Sequence, residues 1–308
     1  MLKTLSFIFL LFGVVACATA PKQTEKLLAD HSGIPERAKV RNVTFIKQSE
    51  NYCGSATLAM AMGSAGLKVD QEELATKAYT TSQAGALQGD MIGASRRMGL
   101  VTVEVRTMPD LLLELASGRP VIVLQNLSFP WLPKWHYALI TGYDLEDVRV
   151  DMISGDRPHH SMNMRAFEPT WEIANHWGLV VLPPGVLSVT AGELAHTTAA
   201  AGLEQVGHFK NAELTYLAVL KKWPQSLTAL IGLGNTHYQR KDLERARRFL
   251  HEATEFHPQS SIAWHNLATV QGELGQSKAA HESAVRALET APDEGTREAY
   301  RRGLRPWL

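Results

Sequence analysis

The chain has 308 residues, 45% of them apolar, with 31 Lys and Arg set against 31 Asp and Glu. That length holds about two domains. The charge balance gives no general electrostatic reason to bind nucleic acid, so no nucleic-acid partner is expected.

The chain opens with Met1-Leu2-Lys3-Thr4, one positive charge, then an apolar run from Leu5 to Val15, then Ala16-Cys17. This pattern reads as a secretory leader over residues 1–16, too short in its apolar part to span a bilayer comfortably. Val14-Val15-Ala16-Cys17 looks like a lipobox, in which Cys17 becomes the lipidated first residue of the mature chain. Ala18 in place of an acidic residue resembles the outer-membrane sorting pattern of Gram-negative bacteria, so the expected location is the outer membrane, facing the periplasm. Lys3 is the leader's only charge, and the remainder carries 30 basic against 31 acidic side chains. Residues 17–40 read as a polar, unpatterned, lipidated tether. Cys17 and Cys53 are the only cysteines. If Cys17 carries lipid it cannot pair, and Cys53 is a lone thiol in an oxidising compartment, a liability unless used or buried.

Cys53-Gly54 opens a small and apolar run, Ser55 to Met62, that reads as a helix. A cysteine at a helix N-terminus has its thiolate favoured by unpaired backbone N–H groups and by the positive end of the helix dipole. Gln48 lies five residues upstream, far enough for its side-chain amide and the Cys53 N–H to point at one developing oxyanion. Asp70 to Leu74 opens a second helix with an acidic first turn, and Gly85 to Met98 reads as a third. Val101 to Arg106 alternates as a half-buried strand, Pro109 to Ala116 forms a short helix, and Val121-Ile122-Val123-Leu124 suits a central strand. Helices followed by strands imply an α+β domain rather than a doubly wound parallel sheet.

The aromatic loop Phe129 to Trp135, expected to border a cleft, leads to His136. This histidine opens an apolar strand ending in Gly142-Tyr143-Asp144, and Val148-Arg149-Val150 pairs back as a second strand. Gln48-x4-Cys53-Gly54 before a small-residue helix, with His136 on a strand running into Gly-Tyr-Asp, resembles the papain-like cysteine peptidases related to the bacteriocin-processing, double-glycine-leader family. The resemblance implies a papain-like fold over residues 41–186, with Cys53 as nucleophile, His136 as its catalytic partner and Gln48 as oxyanion donor. It also implies an aspartate on the following strand to orient the imidazole, and Asp151 is the nearest match. Alternation turns Asp151 away from the face shared by Val148, Val150 and Met152, so Ser154 and Asp156 stay open as alternatives. His159, His160 and His176 belong to no metal-binding spacing, and neither metal nor cofactor is expected. Val180 to Pro184 reads as a last strand with its terminator.

Beyond it the sequence repeats. Pro224, Pro258 and Pro292 are 34 residues apart, as are Ala212, Ala246 and Ala280, with Gly207 and Gly275 separated by twice that and Leu233 and Leu267 in register. Trp264 stands three positions before Leu267. This is tetratricopeptide spacing, small residues where helices cross and proline closing each hairpin. Residues 190–308 should hold about three repeats, the first assigned from its second helix, with Asp293 to Gly303 as a polar capping helix. The whole reads as a lipid-anchored periplasmic peptidase acting on peptide or protein, its repeats binding substrate or a protein partner. The alternatives are a repeat scaffold with a weakly active papain-like domain, or an acyl-transferring variant.

Overall fold

A computed structural model describes residues 21–48, 53–78 and 87–308, the side chains of 76–78 excepted. The expected leader and Cys17 lie outside the described residues. Within them, no helix is long and apolar enough to cross a membrane. An α+β domain comes first and an all-α array follows.

The first domain begins with α1 (Lys22–Ala29), β1 (Arg37–Lys39), α2 (Cys53–Ser64), α3 (Gln71–Ala78) and α4 (Gln88–Arg97). It continues through β2 (Val101–Val105), α5 (Met108–Ala116), β3 (Val121–Asn126) and β4 (Trp135–Asp144), then β5 (Arg149–Ser154), β6 (Arg157–Asn163), α6 (Met164–Glu172) and β7 (Gly178–Leu182). The strands form one antiparallel sheet in the order β2-β7-β3-β4-β5-β6, with β1 paired to β4. Alternation along the strands sorts the core onto two faces. Ile122, Tyr137, Leu139 and Leu179 meet Leu58 and Met62 of α2 on one side. Val121, Val123, Ala138 and Ile140 meet Leu111 of α5 and Trp171 of α6 on the other. Helix α2 is buried from Gly54 through Met62, as an element apolar all round must be.

Residues 22–40 are not a tether. The backbone N–H groups of Gln23 and Thr24 donate to the buried Glu168 carboxylate at 2.8 and 2.6 Å, which satisfies the otherwise unpaired donors at the head of α1. Gln23 Oε1 accepts from the Met108 N–H at 2.7 Å, at the head of α5. Leu27 is buried in the core, and β1 pairs Lys39 with Gly142. A Cβ on Gly142 would stand 2.8 Å from the Ala38 carbonyl oxygen, so glycine is what permits this strand to approach. Strand β6 and helix α6 also had no counterpart in the pattern. Arg157–Asn163 is an exposed edge strand without apolar alternation, and its Pro158 suits an edge.

The array contains α7 (Glu193–Gln205), α8 (Phe209–Lys222), α9 (Leu227–Gln239), α10 (Leu243–Phe256), α11 (Ser261–Glu273), α12 (Ser277–Glu289) and α13 (Glu294–Gly303). Ser226 and Ser260, 34 apart, each cap a helix by accepting from Ala229 and Ala263 N–H. Ala212, Ala246 and Ala280 are fully buried at the helix crossings. The first repeat docks on the sheet domain: Ala199, Ala200 and Leu203 of α7 join one continuous core with Val101 and Val103 of β2. Asn211 Nδ2 donates to the Gly99 carbonyl at 2.8 Å, and His208 Nε2 to that of Arg97 at 2.9 Å.

Candidate active site

The register places five chain ends at one rim of the sheet. Asn126 at the end of β3 opposes Trp135 at the start of β4, Leu139 opposes Ile153 near the end of β5, and Gly178 at the head of β7 lies between Val105 and Val123. Helix α2 packs on β4 and opens at Cys53, a half-buried free thiol. The Thr57 hydroxyl donates to the Cys53 carbonyl at 2.5 Å, fastening the first turn.

His136, the second residue of β4, is partly buried, and its Nε2 lies 2.9 Å from Ser154 Oγ at the end of β5. Burial first, and then the positive charge of Lys134, holds this imidazole below its ordinary value. The ring is therefore neutral near pH 7 and able to take a proton. With Nε2 engaged by the hydroxyl, Nδ1 is the nitrogen left for exchange with a nucleophile. The next residue, Tyr137, is buried in the cluster that α2 joins. Burial chiefly, then the negative charges of ionised Cys53 and Asp90, push the Tyr137 phenol far up. Cys53 packs against the core cluster that contains Tyr137, the residue that follows His136. Gln48 is half-buried, and its Oε1 lies 4.0 Å from where a Cβ on Gly155 would be, so this side chain reaches the turn that follows Ser154. Gln48, Cys53, His136 and Ser154 share the rim.

Asp151 does not. It opposes Gly142, six residues along β4 from His136, roughly 20 Å at strand rise. Its Oδ1 accepts from Ser161 Oγ at 2.6 Å and lies 3.4 Å from Arg149 Nε, so its partners are on β5 and β6. Distance along the strand decides the matter: alternation places Asp151 on the same face as Ile153, but it pairs with Gly142, away from the rim at which His136 meets Ser154. Of the three orienting candidates it is the hydroxyl of Ser154 that touches the imidazole, while Asp156 is exposed in the turn. His159 is exposed on β6, and the His176 ring lies edge-on to Trp171. No group of three metal-ligating side chains occurs among the described residues.

The aromatic loop stands beside His136 but projects outward instead of lining a cleft. Trp131 is 79% exposed, Leu132 68% and Phe129 60%, with the Phe129 and Trp131 rings stacked at 4.9 Å. Its base is closed by Asn126, whose Oδ1 accepts from the N–H groups of Ser128 and Lys134 at 3.0 and 2.8 Å.

Residues 40–178 match the Peptidase_C39 like family, and residues 203–270 match the tetratricopeptide repeat. No curated protein matches the chain significantly. Among solved structures, a putative C39-like peptidase from Bacillus anthracis is 19% identical, covers 48% of this chain and 98% of its own, and superposes with a TM-score of 0.42. The peptidase domain of Streptococcus ComA, a bifunctional ABC transporter in a quorum-sensing pathway, is 17% identical over 46% of this chain and 99% of its own, TM-score 0.37. The Sgt2 tetratricopeptide domain from Aspergillus fumigatus is 20% identical over 37% of this chain and 76% of its own, TM-score 0.35. The chain thus carries a Peptidase_C39 like domain over residues 40–178, followed by tetratricopeptide repeats over residues 203–270.

Proposed function

We propose that the chain is a cysteine peptidase held to the periplasmic face of the outer membrane by lipid on Cys17. The bond between His136 and Ser154, on the rim to which α2 delivers Cys53, carries this reading. His136 would take the thiol proton through Nδ1 while the sulfur attacks the scissile carbonyl. The Gln48 amide and the Cys53 N–H would hold the oxyanion. The proton would then pass to the departing amine, and water would release the acyl group from sulfur. The location rests on Val14 to Ala18 in the sequence.

The repeats frame a groove of about 660 Å³ lined by Glu204, Asn235, Tyr238, His265 and Asn266 among others. Its lining sets the amides of Gln205, Asn235, Gln239 and Asn266 among apolar side chains such as Phe209 and Ile262, which suits an extended peptide, and binding there, remote from the scissile bond, would help position a protein substrate or a partner.

A hydroxyl where the resembled peptidases carry an acid favours slow chemistry, and the scaffold alternative rests on that feature. Labelling with a thiol-directed acyl probe separates the two readings. The peptidase reading expects Cys53 to be labelled, and Cys53→Ser to remain folded by circular dichroism while losing labelling and nearly all turnover of a peptide library. An inert wild-type Cys53 would leave the scaffold.

A further inference from the structure

The rim that bears the site also bears the point where the chain departs toward Cys17, and this coincidence has a physical reading. Strands β2 and β3 end at the same rim, since Val105 and Val123 flank Gly178. Helix α5 begins just past Val105, and its Met108 N–H is held by Gln23 at the head of α1. The head of α1 is therefore at the rim. Five peptide steps join Cys17 to Lys22, a reach of at most about 18 Å. A lipid on Cys17 would hold this rim near the bilayer.

The loop between β3 and β4 rises from the same rim. Its apex presents Phe129, Trp131 and Leu132 to solvent, followed by exposed Trp135 and Lys134. Tryptophan with neighbouring aliphatic and basic side chains suits the boundary between headgroups and acyl chains, where the indole is amphipathic and the ammonium meets anionic phosphate. The apex is also rigidly presented. Pro130 and Pro133 restrict its backbone, the Leu132 N–H closes on the Phe129 carbonyl at 3.0 Å, and Asn126 ties the base.

We infer that the 127–135 loop is a membrane-docking element that enters the lipid interface beside the Cys17 anchor, turning the Cys53–His136 rim toward the bilayer surface. The inference rests on the proposed anchor, and it restricts the substrate class. Polypeptide that lies on or emerges from the membrane reaches such a site before polypeptide free in solution does.

The test uses the full mature chain in vesicles of phosphatidylethanolamine and phosphatidylglycerol brominated near the headgroup end of the acyl chains. In the lipidated protein, shallow bromolipid should quench part of the tryptophan fluorescence, and Trp131→Phe should remove most of that quenched part. The unlipidated Cys17→Ser mature chain should still sediment weakly with the vesicles, and Trp131→Ser with Leu132→Ser should weaken that partition by about tenfold or more. Absent quenching, or quenching undiminished in Trp131→Phe, overturns the inference. So does a fall in soluble-peptide turnover in Trp131→Phe with quenching unchanged, which would make the loop a substrate subsite. Mass spectrometry of Cys17 reports separately on the anchor. Lipid mass without loop quenching sinks the docking element alone, whereas vesicle binding without lipid mass sinks the anchor alone.

Discussion

At the scale of single residues, Ser154 governs what His136 can do. A carboxylate at 2.9 Å would favour the imidazolium by charge, whereas a hydroxyl can donate or accept with either tautomer and adds no charge. Burial and Lys134 then decide, and both lower the proton affinity of the ring. Ser154→Asp should raise that affinity about ten- to hundredfold, read from the His136 ring-proton shifts in an NMR titration, and should speed alkylation of Cys53 at pH 6. Ser154→Ala should instead leave the ring unoriented and lower kcat about 10- to 100-fold with little change in KM. An unmoved titration in Ser154→Asp would show that the hydrogen bond does not set the ring. The helix that Cys53 opens and the strand that carries His136 could be read in the sequence, because a small apolar run after Cys-Gly and an apolar run into Gly-Tyr-Asp each carry a local pattern. That Ser154 rather than Asp151 meets the imidazole could not, because it depends on how far β5 runs along β4 before the turn. Nothing in Val148 to Asp156 announces that the strand continues to Ser154.

Among the elements, the repeats were legible because their register is arithmetic, and the structure adds one position the arithmetic passed over. Gly207 and Gly275 end the first helices of their repeats with φ of 81° and 73°, and the equivalent residue of the middle repeat is Lys241, with φ of 62°. A side chain there carries a left-handed backbone cost that glycine avoids, partly offset by glycine's greater freedom when unfolded. Lys241→Gly should therefore raise the stability by about 0.5–1 kcal/mol, read as a higher urea midpoint, although the Lys241 ammonium gives up its place 5.3 Å from the Tyr238 ring. A lowered midpoint would mean that the cation–π contact outweighs the strain. By contrast, α1 escaped the pattern because a helix of eight residues has too few turns to show periodicity, and its position depends on partners distant in sequence, Glu168 and Met108. β6 escaped because an exposed edge strand needs no apolar alternation.

For the molecule as a whole, the two domains are less separable than their sequences suggest. Glu114 of α5, wholly buried, accepts from Ser188 Oγ at 2.5 Å, from the N–H groups of Val189 and Thr190 at 2.9 and 3.1 Å and from Thr190 Oγ1 at 2.9 Å, and it pairs with Arg119 at 3.1 Å. The segment joining the domains is thus wound around a carboxylate of the first. His196 of α7 completes the joint, accepting from the Ser188 N–H through Nε2 and donating through Nδ1 to the Gly192 carbonyl. Burial, above all, keeps its imidazole below the ordinary value. A base that is harder to protonate folded than unfolded stabilises the fold above the unfolded imidazole value of about 6.5, and that contribution fades as pH falls below it. Glu114→Ala would leave several buried donors and a guanidinium without their acceptor, at a cost of about 3–5 kcal/mol. Because α7 shares its core with β2, this loss should appear as a lower midpoint of one cooperative transition monitored in both domains. Removing residues 190–308 should for the same reason destabilise the first domain itself, since it bares Val101 and Val103 and strips the partners from Glu114. Two separate transitions in Glu114→Ala, with the first domain's midpoint unchanged, would show instead that the shared core carries no coupling and that the array is an appendage.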